Sequence, residues 1–395
     1  MIRRRWLSYV LVWTSFFDQL AWTPVLVLIA AAVQAPEALA WAASLYSVAN
    51  LLGNALFGLL SDRLDRYGVA GAGLLAMGLT GALHLGVTSP GALLGVRFLH
   101  GLAIAAVAPA ALASVTDGIP RNRRGEVLAR VGLVIAIASM LATSAMGRVV
   151  SRVGMAAGIA GLAALVGLVG AATLLLRHRM EPLPPVRMRR LRGEGELPPT
   201  ALNPAMLGAA VLVAFALMFL QNVLFYAYPL QARALGMSPA AIGGTLAVFG
   251  LGSMLAFLPP LSRAADRWGR HRPLFLGLLL AGAGLMGLAR WTAMPALAAS
   301  LFIYGLGFGL VFPAVSALNA DAAGQGRRGL AFGLLTAAFS LGSITGPLVT
   351  QALAAYASPF AVAGGLALAT GLITVGWYYW AARPVPHPTG PGVPR

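Results

Sequence analysis

The sequence predicts an all-α membrane protein, with twelve transmembrane helices in two six-helix halves related by a pseudo-twofold axis. Three observations carry this. The chain has 395 residues, is 59% hydrophobic, has a mean hydropathy of +0.81, and is only 10% charged, against roughly 25% in a soluble domain. So much apolar surface needs lipid to cover it. The apolar residues fall into runs about 20 residues long, the length that crosses a bilayer as a helix. The chain also repeats itself at one constant offset.

In order, the predicted spans are 7–33, 39–60, 69–88, 91–115, 127–150, 154–176, 204–232, 239–261, 273–290, 293–318, 329–354 and 358–382. The first belongs to "WLSYVLVWTSFFDQLAWTPVLVLIAAAV", 28 residues whose single charge is Asp18. Its run is too long for a signal peptide and lacks a small-residue cleavage site, so it is expected to remain as an uncleaved helix. Turn chemistry separates the spans at "QAPEA", "TSPGA", "GMSPA" and "YASPF". Glycine is abundant, at 48 residues, which suits helices packed closely in lipid. Residues 177–203, rich in Pro and Arg, have no apolar period and form a predicted cytoplasmic linker. The expected domains are therefore a half at 1–176, the linker at 177–203, a half at 204–382, and a disordered cytoplasmic tail at 383–395.

Shifting the first half by 204 positions aligns its landmarks with the second. Asp62-Arg63 falls on Asp266-Arg267, Gly101 on Gly305, Pro109 on Pro313, Asp117 on Asp321, and "RRG" at 123–125 on "RRG" at 327–329. Asp18 falls on Asn222. Parallel repeats of this kind place a binding site at the bilayer midplane between the halves.

The formal net charge of +17 would by itself suggest a nucleic-acid partner. Its distribution argues otherwise. All 28 basic residues are arginine; 23 lie on the side of the N-terminus, counting the first turn of a span, and 4 on the other. That bias is the positive-inside rule, and it puts both termini in the cytoplasm of a cell whose inner membrane the chain would span. No nucleic acid is expected to bind. The chain has no cysteine, no His, Asp and Glu cluster with metal-ligand spacing, no phosphate-cradling loop and no nucleophile–base pair. The expectation is therefore no enzyme, no metal and no cofactor.

The loop after the second span reads "GLLSDRLDRYG", 58–68, and its repeat reads "SRAADRWGRHR", 262–272. Both resemble G-x-x-x-D-R-x-G-R-[KR], the loop motif of the major facilitator superfamily. Gly58, Asp62, Arg63 and Arg66 match in the first copy, with Asp65 in place of the second glycine. Asp266, Arg267, Gly269 and Arg270 match in the second, with Ser262 in place of the first. "RFLHGLAIAAVAP", 97–109, resembles the R-x-x-x-G motif of the drug:proton antiporter branch. The G-x-x-x-G-P of that branch is missing from the fifth span, "IAIASMLATSAMG", while "GSITGP" stands in the eleventh. The resemblance implies a monomeric secondary transporter surrounded by lipid, handling a small molecule and protons by alternating access. Export of an amphiphilic or lipophilic compound is the leading expectation. Uptake of a small polar metabolite is an alternative, and a non-transporting sensor or lipid-handling protein is another.

In that frame the matching residues Gly58, Asp62, Arg63, Arg66, Asp266, Arg267, Gly269 and Arg270 are candidates for a cytoplasmic gate. A carboxylate at the end of the second span would meet the positive end of the eleventh. Asp18 is the candidate proton carrier, because a charge at mid-membrane depth costs about 3 kcal/mol and marks function by default. At a rise of 1.5 Å per residue it lies about 16 Å from the inner surface, with His100 about 16 Å and Arg97 about 21 Å from it. Arg97 and His100 are therefore its candidate partners, and a cationic substrate would compete with the proton. Trp22, Asn50, Asn54, Gln221, Asn222, Phe225, Tyr226 and Tyr304 are candidates for lining the substrate cavity. For Asn50 and Asn54, and for the aromatic residues of the first and seventh spans, helix packing or an interfacial belt is the competing reading. His84, near a helix end, reads as structural.

Overall fold

A computed structural model describes residues 2–116, 124–177, 203–258, 261, 269, 271–322 and 328–381. Thirteen α-helices run through them: α1 Ile2–Ala21, α2 Thr23–Ala32, α3 Ala38–Arg63, α4 Arg66–Leu83, α5 Pro90–Thr116, α6 Arg124–Val153, α7 Met155–Leu176, α8 Pro204–Ala234, α9 Pro239–Phe257, α10 His271–Arg290, α11 Met294–Ala322, α12 Arg328–Leu353 and α13 Pro359–Ala381. Counting α1 and α2 as one span, eleven segments are long and apolar enough to cross a membrane; α3, of 26 residues, completes twelve.

The first span is not the single helix its apolar run suggested. It breaks at Trp22, because Pro24 has no N–H and its ring crowds the preceding turn. Trp22 itself keeps helical dihedrals, so the break is a kink and the chain continues in the same direction. At the other extreme, α6 and α7 meet through one residue, Gly154, at φ +88° and ψ 165°. Only glycine occupies that region freely. A Cβ there would touch nothing within 4 Å, so Gly154→Ala isolates the backbone cost. We expect a loss of about 1–3 kcal/mol, read as a lowered Tm of the purified protein; an unchanged Tm would overturn the argument.

The two halves pack alike. In the first, α3 packs on α5, α4 on α5 and α7, and α1 on α5 and α6; in the second, α9 packs on α11, α10 on α11 and α13, and α8 on α11 and α12. Each pair in the first list has its counterpart in the second. The repeat extends to atoms. A Cβ on Gly101 would collide with the carbonyl of Tyr46 on α3, and one on Gly305 with the carbonyl of Phe249 on α9. A Cβ on Gly73 would meet Val107 at 2.8 Å, and one on Gly277 would meet Val311 at 2.6 Å. Glycine at these positions lets the helix backbones touch, which is how helices associate without a hydrophobic driving force.

The halves meet along two related seams, α3 with α12 and α6 with α9. The second seam is the tighter. Gly147 faces Pro239, and Gly243 faces the carbonyl of Thr143, so that no side chain separates the backbones. Ser151 Oγ accepts from the Ala240 N–H at 3.1 Å near the same end. On the first seam, Ser44 Oγ donates to the Ile344 carbonyl at 2.7 Å. The second piece of the first span, α2, packs on α6 of its own half and on α8 and α9 of the other, whereas α1 packs on α5, α6 and α7 of its own half. Among the described residues, these inter-half contacts gather toward the end of the bundle away from the N-terminus.

Candidate functional site

Four spans of the first half converge on Asp18. It lies one turn before the Trp22 kink and is 1% exposed; His100 on α5 is 0% exposed. His100 Nε2 and Asp18 Oδ2 are 2.8 Å apart. The Trp22 Nε1–H donates to Asp18 Oδ1 at 3.3 Å, a bond made at a spacing of four residues across the kink. On its other side, His100 Nδ1 is 3.0 Å from Thr80 Oγ1 of α4. Thr80 Oγ1 also lies 2.7 Å from the Ala76 carbonyl.

This chain restricts where a proton sits. If the Thr80 hydroxyl donates to Ala76, its oxygen accepts from His100 Nδ1–H. Nε2 is then a lone pair unless the ring carries both protons, so a bond to Asp18 requires either a protonated acid or an imidazolium. If instead Thr80 donates to Nδ1, His100 Nε2–H donates to a carboxylate. The pair thus bonds in both a loaded and an unloaded form, differing by one proton, with little movement of heavy atoms.

Around the pair stands a shell of Trp22, His84, Tyr46 and Arg97, of which the sequence had not singled out Tyr46. Trp22 packs against His84 with centroids 4.1 Å apart and planes tilted by 32°, and His84 Nδ1–H donates to the Thr80 carbonyl at 2.9 Å. His84 is therefore fixed as a wall of the site. Tyr46 of α3 lies 6.0 Å from His100, centroid to centroid. Arg97 is 4% exposed and sets its guanidinium over the Tyr46 ring at 4.3 Å and near Trp22 at 5.9 Å. Arg97 does not form an ion pair with Asp18; among the described residues it has no hydrogen bond, and Nε and Nη1 are buried without a partner. Thr80 and Tyr46 were unreadable beforehand, because a lone hydroxyl in a span is usually bonded to its own helix.

A cavity of about 160 Å³ lies between the halves, and Trp22, Tyr46 and Arg97 form its wall toward Asp18. Of the expected lining residues, Trp22, Gln221, Asn222, Phe225 and Tyr226 face it. Gln19, Ser47 and Ser343 add polar groups. Asn222 Nδ2 donates to Ser343 Oγ at 3.1 Å and to the Met218 carbonyl at 2.9 Å, crossing from α8 to α12. Asn50, Asn54 and Tyr304 do not line it. Asn54 Nδ2 donates to Asn50 Oδ1 at 2.7 Å, a bond within α3. Tyr304 is fully buried on α11, 5.7 Å from Phe249. Asp18 is also absent from the cavity wall, its oxygens already taken by His100 and Trp22, so the geometry offers a cationic substrate no direct contact with it.

At the offset of 204, His100 corresponds to Tyr304, Trp22 to Tyr226, Thr80 to Gly284 and Arg97 to Leu301. The second half thus keeps the packing of the first and lacks its titratable chain. Of the gate candidates, Gly58, Asp62 and Arg63 end α3, with side chains outside the described residues; Asp266, Arg267 and Arg270 lie outside them altogether. Arg66 opens α4. Asp65 explains the departure from the loop motif: its carboxylate caps α4, accepting from the Tyr67 and Gly68 N–H groups at 3.3 and 2.8 Å. Its φ is −62°, whereas Gly269, its counterpart, has φ +78°. The first loop follows a path open to any residue and uses Asp for the cap.

Twelve spans in two matching halves, around a central cavity with a buried carboxylate beside it, are the architecture of a membrane transport protein that moves small molecules. The family model of the Major Facilitator Superfamily matches residues 8–220 and 210–394, and the chain belongs to that superfamily. It is 28% identical over 349 residues to the tetracycline resistance protein, class C, of Escherichia coli, covering 83% of this chain and 82% of that one. It is 24% identical over 280 residues to a multi-drug resistance efflux pump PmrA homolog of Lactococcus lactis, covering 70% and 68%. The crystal structure of the human organic anion transporter MFSD10 shares the fold, with a TM-score of 0.68 at 20% identity over 94% of this chain and 99% of that one.

Proposed function

We propose that the chain exports an amphiphilic or lipophilic small molecule in exchange for protons, by alternating access. The observation that carries this is the buried Asp18–His100–Thr80 chain, joined to the central cavity through Trp22. The indole of Trp22 bonds Asp18 and also walls the cavity. A ligand in the cavity and a proton on the pair therefore both act on one side chain, which supplies the coupling that competition at Asp18 cannot. The similarity to the efflux pump PmrA homolog of Lactococcus lactis supports export. The halves at 1–176 and 204–382 would rock about this cavity in a monomer, with both termini in the cytoplasm of a cell inner membrane. The gate residues Asp62 and Asp266 with their arginines would bias one state.

The test is transport by proteoliposomes with a pH-sensitive dye inside, screened over lipophilic cations, anions and neutral amphiphiles. Substrate-dependent proton flux that runs opposite to the substrate supports the reading, and flux in the same direction or none at all overturns it. Asn222→Ala removes a neutral hydrogen-bond partner from the cavity and none from the proton site. We expect it to weaken substrate binding by about two- to tenfold, the scale of one such bond, and to leave protons released per substrate unchanged. A changed proton count with unchanged affinity would refute this division between the halves.

A further inference from the structure

Arg97 is a charged group in a protein interior at membrane depth, with no ion-pair or hydrogen-bond partner among the described residues. Such a charge is costly when unpaired. It is 96% buried by its 4% exposure, makes no hydrogen bond or ion pair among the described residues, and lines the central cavity. Asp18, the nearest carboxylate in the site, is already bonded to His100 and Trp22. The contact Arg97 does make is with the face of Tyr46, at 4.3 Å. A guanidinium that lies over an aromatic ring spends none of its N–H donors on that contact. The planar fork of donors matches a carboxylate.

We propose that this is a binding site for the acidic group of the substrate: a carboxylate held by Arg97, on an apolar or aromatic body packed between Trp22, Tyr46, Phe225 and Tyr226. This deepens the transport reading and rests on it. The site has one cation, so it suits a single negative charge better than a doubly charged phosphate. Its volume of about 160 Å³ is close to the ~150 Å³ that holds one benzene ring. The other polar lining groups, Gln19, Thr23, Ser47, Gln221, Asn222 and Ser343, are neutral, so the cavity wall itself offers Arg97 no carboxylate.

The experiment measures equilibrium binding to the purified full chain in detergent, with no gradient, by tryptophan fluorescence and calorimetry. The probes are benzoate, benzamide and benzamidinium, which share a ring and differ in charge. We expect benzoate to bind about tenfold or more tightly than benzamide, the scale of a charge-assisted hydrogen bond, and benzamidinium to bind more weakly than either. Arg97→Gln should bring benzoate and benzamide to equal affinity, and Arg97→Lys should restore part of the preference. If benzamide or benzamidinium binds the unmodified protein as tightly as benzoate, the proposal is wrong. That comparison needs no variant, so it stands even if Arg97→Gln fails to fold. Benzoate preference without gradient-driven transport would overturn the transport reading and keep the site; transport without benzoate preference would do the reverse.

Discussion

Asp18→Asn is expected to abolish gradient-driven transport while leaving the protein folded. The substitution preserves shape. The amide oxygen still accepts from Trp22 Nε1–H, and the amide nitrogen donates to His100 Nε2, provided that His100 carries its proton on Nδ1 toward Thr80. That is the arrangement of the proton-loaded pair, now made permanent. Packing around a residue that is 1% exposed is unchanged, so Tm should stay within about 4 °C. What disappears is the one proton that the pair exchanges, and with it the coupling. The measurement is proton release on substrate addition in weakly buffered detergent solution: the parent should release protons and the variant none. If Asp18→Asn releases them as the parent does, Asp18 is a structural residue and the mechanism fails.

The second large effect is expected at the seam between the halves. Gly243→Leu would drive a side chain into the backbone of α6 at Thr143. Backbone cannot turn aside as a side chain can, and overpacking costs about 1–3 kcal/mol even where side chains yield. The cost falls only on the arrangement in which α6 and α9 touch. A penalty of about 3 kcal/mol against that arrangement shifts the balance between states by roughly a hundredfold. We therefore expect the helix ends near Val153 and Leu235, both exposed, to move apart by spin-label distance measurement, and transport to fall to background. Gly243→Ala should show the same change in weaker form. Unchanged distances in the leucine variant would mean that this seam does not hold the halves together.

Some of the site was legible and some was not, for identifiable reasons. Asp18 was visible because a carboxylate inside a 28-residue apolar stretch is costly, and cost is readable from composition. Its partner could be narrowed by depth, since helix rise is constant, and His100 emerged at nearly the same level. The bond of Asp18 to Trp22 was not foreseen, although Pro24 announced a helix break beside it. Thr80 and Tyr46 were missed because they act from α4 and α3, and nothing in the order of residues says which helix faces which; His84 was read as structural, and the structure fixes it as a wall. Asn50 and Asn54 were open between lining the cavity and packing helices; the structure bonds them to each other within α3, away from the cavity, and leaves Asn54 Oδ1 buried without a partner among the described residues. The role of Arg97 also changed. Depth alone placed it near Asp18, but the structure stacks it on Tyr46 with no ion pair to that carboxylate.

By itself, the sequence determined that this chain lives in lipid, has twelve spans in two parallel copies, and carries Asp18, Arg97 and His100 in the first copy with no counterparts in the second. These are properties of length, hydropathy and offset, and they hold whatever the packing. Only the tertiary structure decided which groups share a proton, which face the cavity, and which charge is left without a partner. Such facts depend on the rotation of each helix about its axis. A rotation of 100° per residue turns a neighbouring position from cavity to lipid, and the helix surfaces set that angle jointly, through glycine contacts such as Gly101 with Tyr46 and Gly243 with Thr143.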